Sequence, residues 1–224
     1  MNVCMALYSE SYQDLARITL FKNRVEYCHR WGYLPMFRKV PDPKNQKEAW
    51  DIFGYGGPMA VLRAFNENKA IDWLWLAGTD GMVTNMLKPL PLPKLSNIGL
   101  VLSTDCHGIN GGSILLKNHP WVRDYLRWIL SNRDRWNHEQ EAFQESYAEN
   151  AAFVETADQR VMNSYDYRLY AEALKRPAEA PRPGFEDLVQ AGQWKPGDFF
   201  IHWPGLGLEE RLKLAAHYET EVVR

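Results

Sequence analysis

The sequence predicts a three-layer α/β fold with a mostly parallel central sheet between helices. Three observations predict it. Trp73 to Ala77 is a wholly apolar run, too short for a helix, that ends abruptly in Gly78-Thr79-Asp80-Gly81. A strand buried on both faces reads this way. Residues 1–40 read strand, helix, strand, the βαβ signature that calls for a right-handed crossover. Strand-like and helix-like patterns then alternate along most of the chain. At 224 residues the chain suits a single domain over 1–224.

Val3 to Tyr8 is short and apolar, a first strand, and Ser9-Glu10-Ser11 supplies a turn and helix cap. From Tyr12 to Trp31 apolar residues (Leu15, Ile18, Phe21, Val25, Cys28) recur at three- and four-residue steps, a helix that Gly32 stops. Tyr33 to Val40 is the second strand, and Pro41 to Asn45 a loop. Gly54, Gly56 and Gly57 predict irregular backbone over Trp50 to Gly57. Pro58 suits a helix start, with Met59 to Asn68 as that helix. Ile71 to Ala77 is the central strand. The three prolines of Leu87 to Pro93 make that stretch extended or loop. Ile98 to Ser103 is a strand, Thr104 to Gly108 a polar turn, and Ser113 to Lys117 a strand. Pro120 to Asn132 and His138 to Glu149 are helices, the first strongly amphipathic. Arg176 to Gly184, rich in Pro and Ala, reads as a surface loop or lid. Phe199 to His202 is a last strand, and Leu208 to Val222 an amphipathic closing helix.

Composition narrows the class. Nine Trp, eleven Tyr and nine Phe make an aromatic-rich chain, which suits a core and also suits sugar or base sites. A net charge of −2 without a basic block argues against nucleic acid or an anionic membrane as main partner. Three separated cysteines form neither a disulfide framework nor a Cys-x-x-Cys metal site and fit a reducing compartment. No apolar run approaches the ~18 residues that span a bilayer, and the N-terminus lacks a basic region and a cleavage site. A soluble, cytoplasmic protein is the expectation.

Asp80 follows the central strand, where open α/β sheets bind ligands, and could hold a divalent cation and through it a diphosphate. An Asp-Gly turn capping its own backbone is an equal alternative. Asn110-Gly111-Gly112-Ser113 joins a polar side chain to permissive backbone, suiting close approach of a ligand rich in hydroxyls or phosphates, or simply a β-turn. His202, between apolar residues and Trp203-Pro204-Gly205, is either a metal ligand or a packed core histidine. Together Asp80 and His202 would form an oxygen–nitrogen pair suited to Mn²⁺.

These pieces, in this order, resemble the family 34 glycosyltransferases. Asn23 to Tyr33 is similar to the family's Asn-Arg/Lys-x-x-Tyr-Ala/Cys-x-x-His-Gly-Tyr helix end, and Trp73 to Asp80 to its Trp-Ile-Trp-x-x-Asp-x-Asp strand. Asp105 to Ser113 resembles its Gln-Asp-x-x-x-Leu-Asn-x-Gly-Ser block, which Lys117 to Trp121 continues. Glu139-Gln140-Glu141-Ala142 resembles Glu-Gln-x-Ala, Asn163-Ser164-Tyr165 resembles Asn-Ser/Ala-Tyr, and Gly197 to Gly205 resembles Gly-Asp-Phe-Val-x-His-Phe-x-Gly. Each motif alone is weak, and seven in order are strong.

The resemblance implies a nucleotide-binding fold of the GT-A type and retaining transfer of a hexose or pentose from a UDP- or GDP-sugar donor to a glycan or other hydroxyl acceptor. It also implies a divalent cation, usually Mn²⁺ (or Mg²⁺). By position, Asp80 and His202 would be metal ligands. Tyr8, Asn23 and Arg24 would face the nucleotide, and Asn110, Gly111, Gly112 and Ser113 would border the donor sugar. Asp105 and Gln140 would lie near the transferred group, and Gly205 would offer its N–H to the diphosphate. The chain departs from the family at three places. Gly78 stands for the first Asp of Asp-x-Asp, Gly57 falls about where the family has a Lys, and Leu206 replaces a Cys. Loss of the carboxylate and the Lys opens a second possibility, a non-catalytic nucleotide-sugar- or glycan-binding protein on the same fold.

Overall fold

The computed structural model describes residues 1–170 and 185–224. The Arg176 to Gly184 segment lies outside the described residues. Strand β1 (Val3–Ser9) leads through a short 3₁₀ turn into α1, residues 13–31, in which Gln13–Ala16 and Val25–Trp31 flank a π-helical segment, Arg17–Arg24. Gly32 ends α1 at φ 66°, a left-handed conformation that glycine adopts without strain. β2 (Leu34–Val40) follows. Helix α2, residues 46–67, starts where the Asn45 side chain caps Glu48 N at 2.9 Å. It runs through Gln46–Ala49, a π segment at Trp50–Tyr55, and Gly56–Glu67. The backbone expected to be irregular over Trp50 to Gly57 is therefore helical.

Then come β3 (Trp73–Ala77), β4 (Gly81–Val83), β5 (Leu100–Asp105) and β6 (Gly108–Lys117). Helices α3 (Pro120–Ser131) and α4 (Glu139–Ser146) precede β7 (Val154–Ala157) and the single turn α5 (Gln159–Met162). The chain closes with α6 (Phe185–Gly192), β8 (Phe200–His202) and α7 (Leu208–Glu219).

The main sheet has the order β2-β1-β3-β6-β5-β7. All neighbouring pairs are parallel except those that β6 makes with β3 and β5. The expectation of a mostly parallel α/β sheet holds. Alternation along β1 sorts its side chains between two cores. Val3, Met5 and Leu7 pack with Leu74, Leu102 and Ile114 beneath α2, α3 and α4. On the opposite face Cys4 packs with Tyr27, Trp75, Leu115 and Phe200. Each such apolar side chain, when fully buried, contributes roughly 1.5–3 kcal/mol.

Two features of the sheet make the site. β6 begins five residues before the expected Ser113 and pairs with β5 through an irregularity. Leu102 faces Ile114, yet the next residue, Ser103, faces Asn110. Residues 111–113 thereby have no partner position on β5, although Ser113 still pairs with Ala77 of β3. Apart from the main sheet, β4 pairs antiparallel with β8, with Gly81 opposite His202. Among the described residues no helix is long and apolar enough to cross a membrane.

Candidate active site

β1 and β3 run parallel, so their C-terminal ends open on the same edge of the sheet. A cleft of about 1460 Å³ lies there. The β4–β8 ladder carries the far end of the chain to it. Trp203 N donates to Asp80 O at 2.8 Å, which fixes the His202–Trp203 backbone beside Asp80. His202 Nε2 then stands 3.3 Å from Asp80 Oδ1, while Arg211 Nη2 of α7 approaches Oδ2 at 2.9 Å. Burial opposes ionisation of Asp80, but the charges of His202 and Arg211 outweigh it and hold the carboxyl well below the usual range.

His202 is oriented from behind. Asn163 Nδ2 donates to the Tyr165 hydroxyl at 3.3 Å, which turns its carbonyl toward His202 Nδ1 at 2.9 Å. Nδ1–H donates to that carbonyl, and Nε2 is left to face Asp80. A neutral imidazole so placed opposes its lone pair to a carboxylate oxygen, a pairing completed by a proton or by a cation. The donor set of one carboxylate and one imidazole fits a divalent ion that takes its remaining ligands from phosphate oxygens and water. Among the described residues no three His, Cys, Asp or Glu side chains are grouped so that they could hold a metal ion by themselves.

The sugar-facing half lies along β5, β6 and α4. Asp105 Oδ2 accepts from Asn110 Nδ2 at 2.9 Å and Tyr165 Oη at 3.1 Å, and Oδ1 accepts from His107 N at 2.7 Å. Asn110 Oδ1 accepts from Gly112 N, and Gln140 Oε1 from Gly111 N. The two glycines are needed for space. A Cβ on Gly112 would lie 2.2 Å from His202 Cε1, and one on Gly111 would lie 2.9 Å from Glu139 Oε1. Gly111-Gly112 is thus the seam between the Asp80–His202 half and the Glu139–Gln140 half.

Tyr8, Asp80, Asp105, Asn110, Gly111, Gly112, Gln140, His202 and Gly205, each expected at the site from sequence, all line this cleft. Gly205 does so at φ 73°, and a Cβ there would meet nothing. Asn23, Arg24 and Ser113 do not face it, contrary to expectation; all three are fully buried. Asn23 clamps Val83 from both sides, Nδ2 to its O at 2.9 Å and Oδ1 from its N at 2.8 Å. Arg24 donates to the carbonyls of Ala77, Gly78 and Gly81 and lies 5.2 Å from the ring centres of Trp75 and Phe200. Burial lowers its pKa to about 10, which leaves it charged at neutral pH. The two residues brace the turn that presents Asp80. The Ser113 hydroxyl accepts from Trp75 Nε1 at 2.9 Å.

Sequence reasoning gave no role to Glu139, Asn163, Tyr165 or Arg211. The first three sit inside recognisable motifs, so their positions carried a signal. Arg211, after two Glu in an amphipathic helix, looks like an ordinary surface residue. Glu139 is wedged between Gly54 and Gly111. Burial raises its pKa to about 7, against hydrogen bonds from its own N–H and that of Gln140 that favour the charged form. Gly78 also gains a reason, because a Cβ there would lie 2.3 Å from Asp80 Oδ1. The Asp80 carboxylate occupies the room that a side chain at 78 would need.

Sheet order, cleft and carboxylate placement define a fold of the GT-A glycosyltransferase class. The chain superposes with a TM-score of 0.70 on a glycosyltransferase involved in the glycosylation of the major capsid of PBCV-1, at 18% identity, covering 96% of this chain and 98% of that one. Against the galactosyltransferase LgtC in complex with donor and acceptor sugar analogs, the TM-score is 0.52 at 14% identity, covering 99% and 100%. Residues 5–95 match the galactosyl transferase GMA12/MNN10 family, the family 34 enzymes that the motifs resemble. Probable alpha-1,2-galactosyltransferase gmh2 of Schizosaccharomyces pombe is 23% identical over 94% of this chain and 68% of its own length. Galactomannan galactosyltransferase 1 of Cyamopsis tetragonoloba is 23% identical over 52% of this chain, a match spanning 28% of that protein.

Proposed function

We propose that the chain is a single-domain, cytoplasmic glycosyltransferase. It moves a hexose or pentose from a UDP- or GDP-sugar to a hydroxyl of a glycan or similar acceptor, with retention at the anomeric carbon and with Mn²⁺ or Mg²⁺ held by Asp80 and His202. The observation that carries this reading is the juxtaposition of the Asp80 carboxylate oxygen Oδ1 and the His202 ring nitrogen Nε2, 3.3 Å apart at the end of the central strand. The bound cation would neutralise charge on the departing diphosphate.

The chain's own residues divide the remaining work. Gly205, in its left-handed turn, offers a backbone N–H to the diphosphate. Asp105 is occupied by three donors, which suits it to orienting sugar hydroxyls and not to nucleophilic attack. Gln140 is held by Gly111 N next to the transferred group. The bond from the anomeric carbon to the diphosphate breaks, the bond to the acceptor oxygen forms, and the acceptor's proton leaves with the diphosphate. Trp50 and Phe53 of α2 line the cleft and would give the acceptor glycan aromatic faces to lie on. The galactosyl- and xylosyltransferase names of the relatives favour a hexose or pentose donor.

A second reading, donor binding without transfer, is favoured by the departures at Gly78 and Gly57. The test is release of nucleoside diphosphate from a panel of UDP- and GDP-sugars offered with glycan acceptors and Mn²⁺. Turnover that Asp80→Ala abolishes supports the transferase. Binding of a donor without turnover for any acceptor moves the chain to the second reading.

A further inference from the structure

The cleft is acidic. Asp80, Asp105, Glu139, Glu186 and Asp187 all line it, and among the described residues Arg211 is the sole Arg or Lys that does. A diphosphate cannot enter such a cleft favourably unless positive charge meets it. Arg211 is built as a fixed charge. Nε donates to Trp203 O at 3.1 Å, Nη1 to the Tyr12 hydroxyl at 3.2 Å, and Nη2 approaches Asp80 Oδ2 at 2.9 Å. The guanidinium also lies 5.7 Å from the Tyr12 ring centre. Those contacts use three of its five N–H donors, and among the described residues the other two have no acceptor. The side chain is 10% exposed. It reaches the cleft from the first turn of α7, immediately after the Gly205 turn.

We propose that Arg211 is a direct ligand of the donor's diphosphate. It binds phosphate oxygens with its two unspent N–H groups while its third side stays on Asp80. The inference rests on the nucleotide-sugar reading above and adds a residue to it. A guanidinium anchored on three sides needs no reorganisation when the anion arrives or when charge grows on the leaving group. It also relieves the repulsion between Asp80 and that anion, compensating for the acidic lining.

The test is calorimetric titration of UDP and GDP, with Mn²⁺, into wild type, Arg211→Gln and Arg211→Lys, each confirmed as folded by near-UV circular dichroism. The expected result is affinity at least tenfold lower in Arg211→Gln, with Arg211→Lys intermediate because the charge returns without the planar fork. Equal affinity in Arg211→Gln and wild type overturns the proposal. So does an equal loss in Gln and Lys variants, which would show that Arg211 only braces Asp80 and Trp203. If wild type binds neither nucleotide, the nucleotide-sugar reading itself fails, whatever the variants do.

Discussion

Replacing Glu139 by Gln removes a carboxyl that folding holds in an unfavourable place. Its carboxylate is packed between Gly54 and Gly111, and burial raises the pKa from the ordinary 4.5 to about 7. A raised carboxyl pKa means that the folded state holds the proton more tightly than the unfolded chain. Between pH 4.5 and about 7, therefore, rising pH removes stability, and above about 7 the whole cost is felt. That gap, at 1.36 kcal/mol per pH unit, amounts to about 3 kcal/mol. Glu139→Gln has nearly the same shape and carries no charge to bury. Urea unfolding of both proteins across this range measures the difference. At low pH, where the wild-type carboxyl is protonated, the two midpoints should nearly coincide. Above neutrality the variant should be more stable by up to about 3 kcal/mol. Donor binding or turnover should fall in the same variant, since a costly buried carboxyl is kept at a site for its chemistry. Parallel pH profiles for wild type and variant would refute the reasoning, because burial of Glu139 would then carry no penalty.

Gly112→Ala should lose donor binding and about 1–3 kcal/mol of stability, since its Cβ would meet the His202 ring at 2.2 Å. Calorimetry with nucleotide and thermal unfolding check the two effects. Arg24→Met leaves the carbonyls of Ala77, Gly78 and Gly81 without their shared donor. It should cost about 1–3 kcal/mol for each buried carbonyl left unpaired, read by urea unfolding. A stable Arg24→Met variant with weakened nucleotide affinity would restore Arg24 to the donor site. Asn163→Ala removes the group that orients His202, and should weaken Mn²⁺ binding about 10–100-fold while the protein stays folded, measured by competition with a metal indicator.

Much of the fold was legible because its signals are local. The apolar run Trp73–Ala77, the periodic α1 and the amphipathic α3 each announce themselves within a few residues. Helix α2 was misread for a physical reason. Gly54 and Gly57 are small because Glu139 and Leu76 press against the helix there, with a Cβ at 57 only 2.9 Å from Leu76 Cδ2. Glycine in sequence looks the same whether it serves a turn or a close approach. β4 was missed because it is three residues long and its partner, β8, lies near the other end of the chain. The site residues followed a similar division. Asp80, Asn110 and His202 were found through motifs, and the structure brings them to one cleft. Asn23 and Arg24 lie in a motif too, but a motif marks position and says nothing of which way a side chain faces. Arg211 acts through a contact with Asp80 that no local pattern encodes.

The most direct measurement is a crystal structure of the protein with a UDP- or GDP-sugar and Mn²⁺. The metal should lie on an Asp80 carboxylate oxygen and His202 Nε2, and the diphosphate between that metal, Gly205 N and Arg211. The sugar should lie over Gly111-Gly112 toward Asp105 and Gln140. A donor bound elsewhere, or a metal held by residues other than Asp80 and His202, would contradict this arrangement.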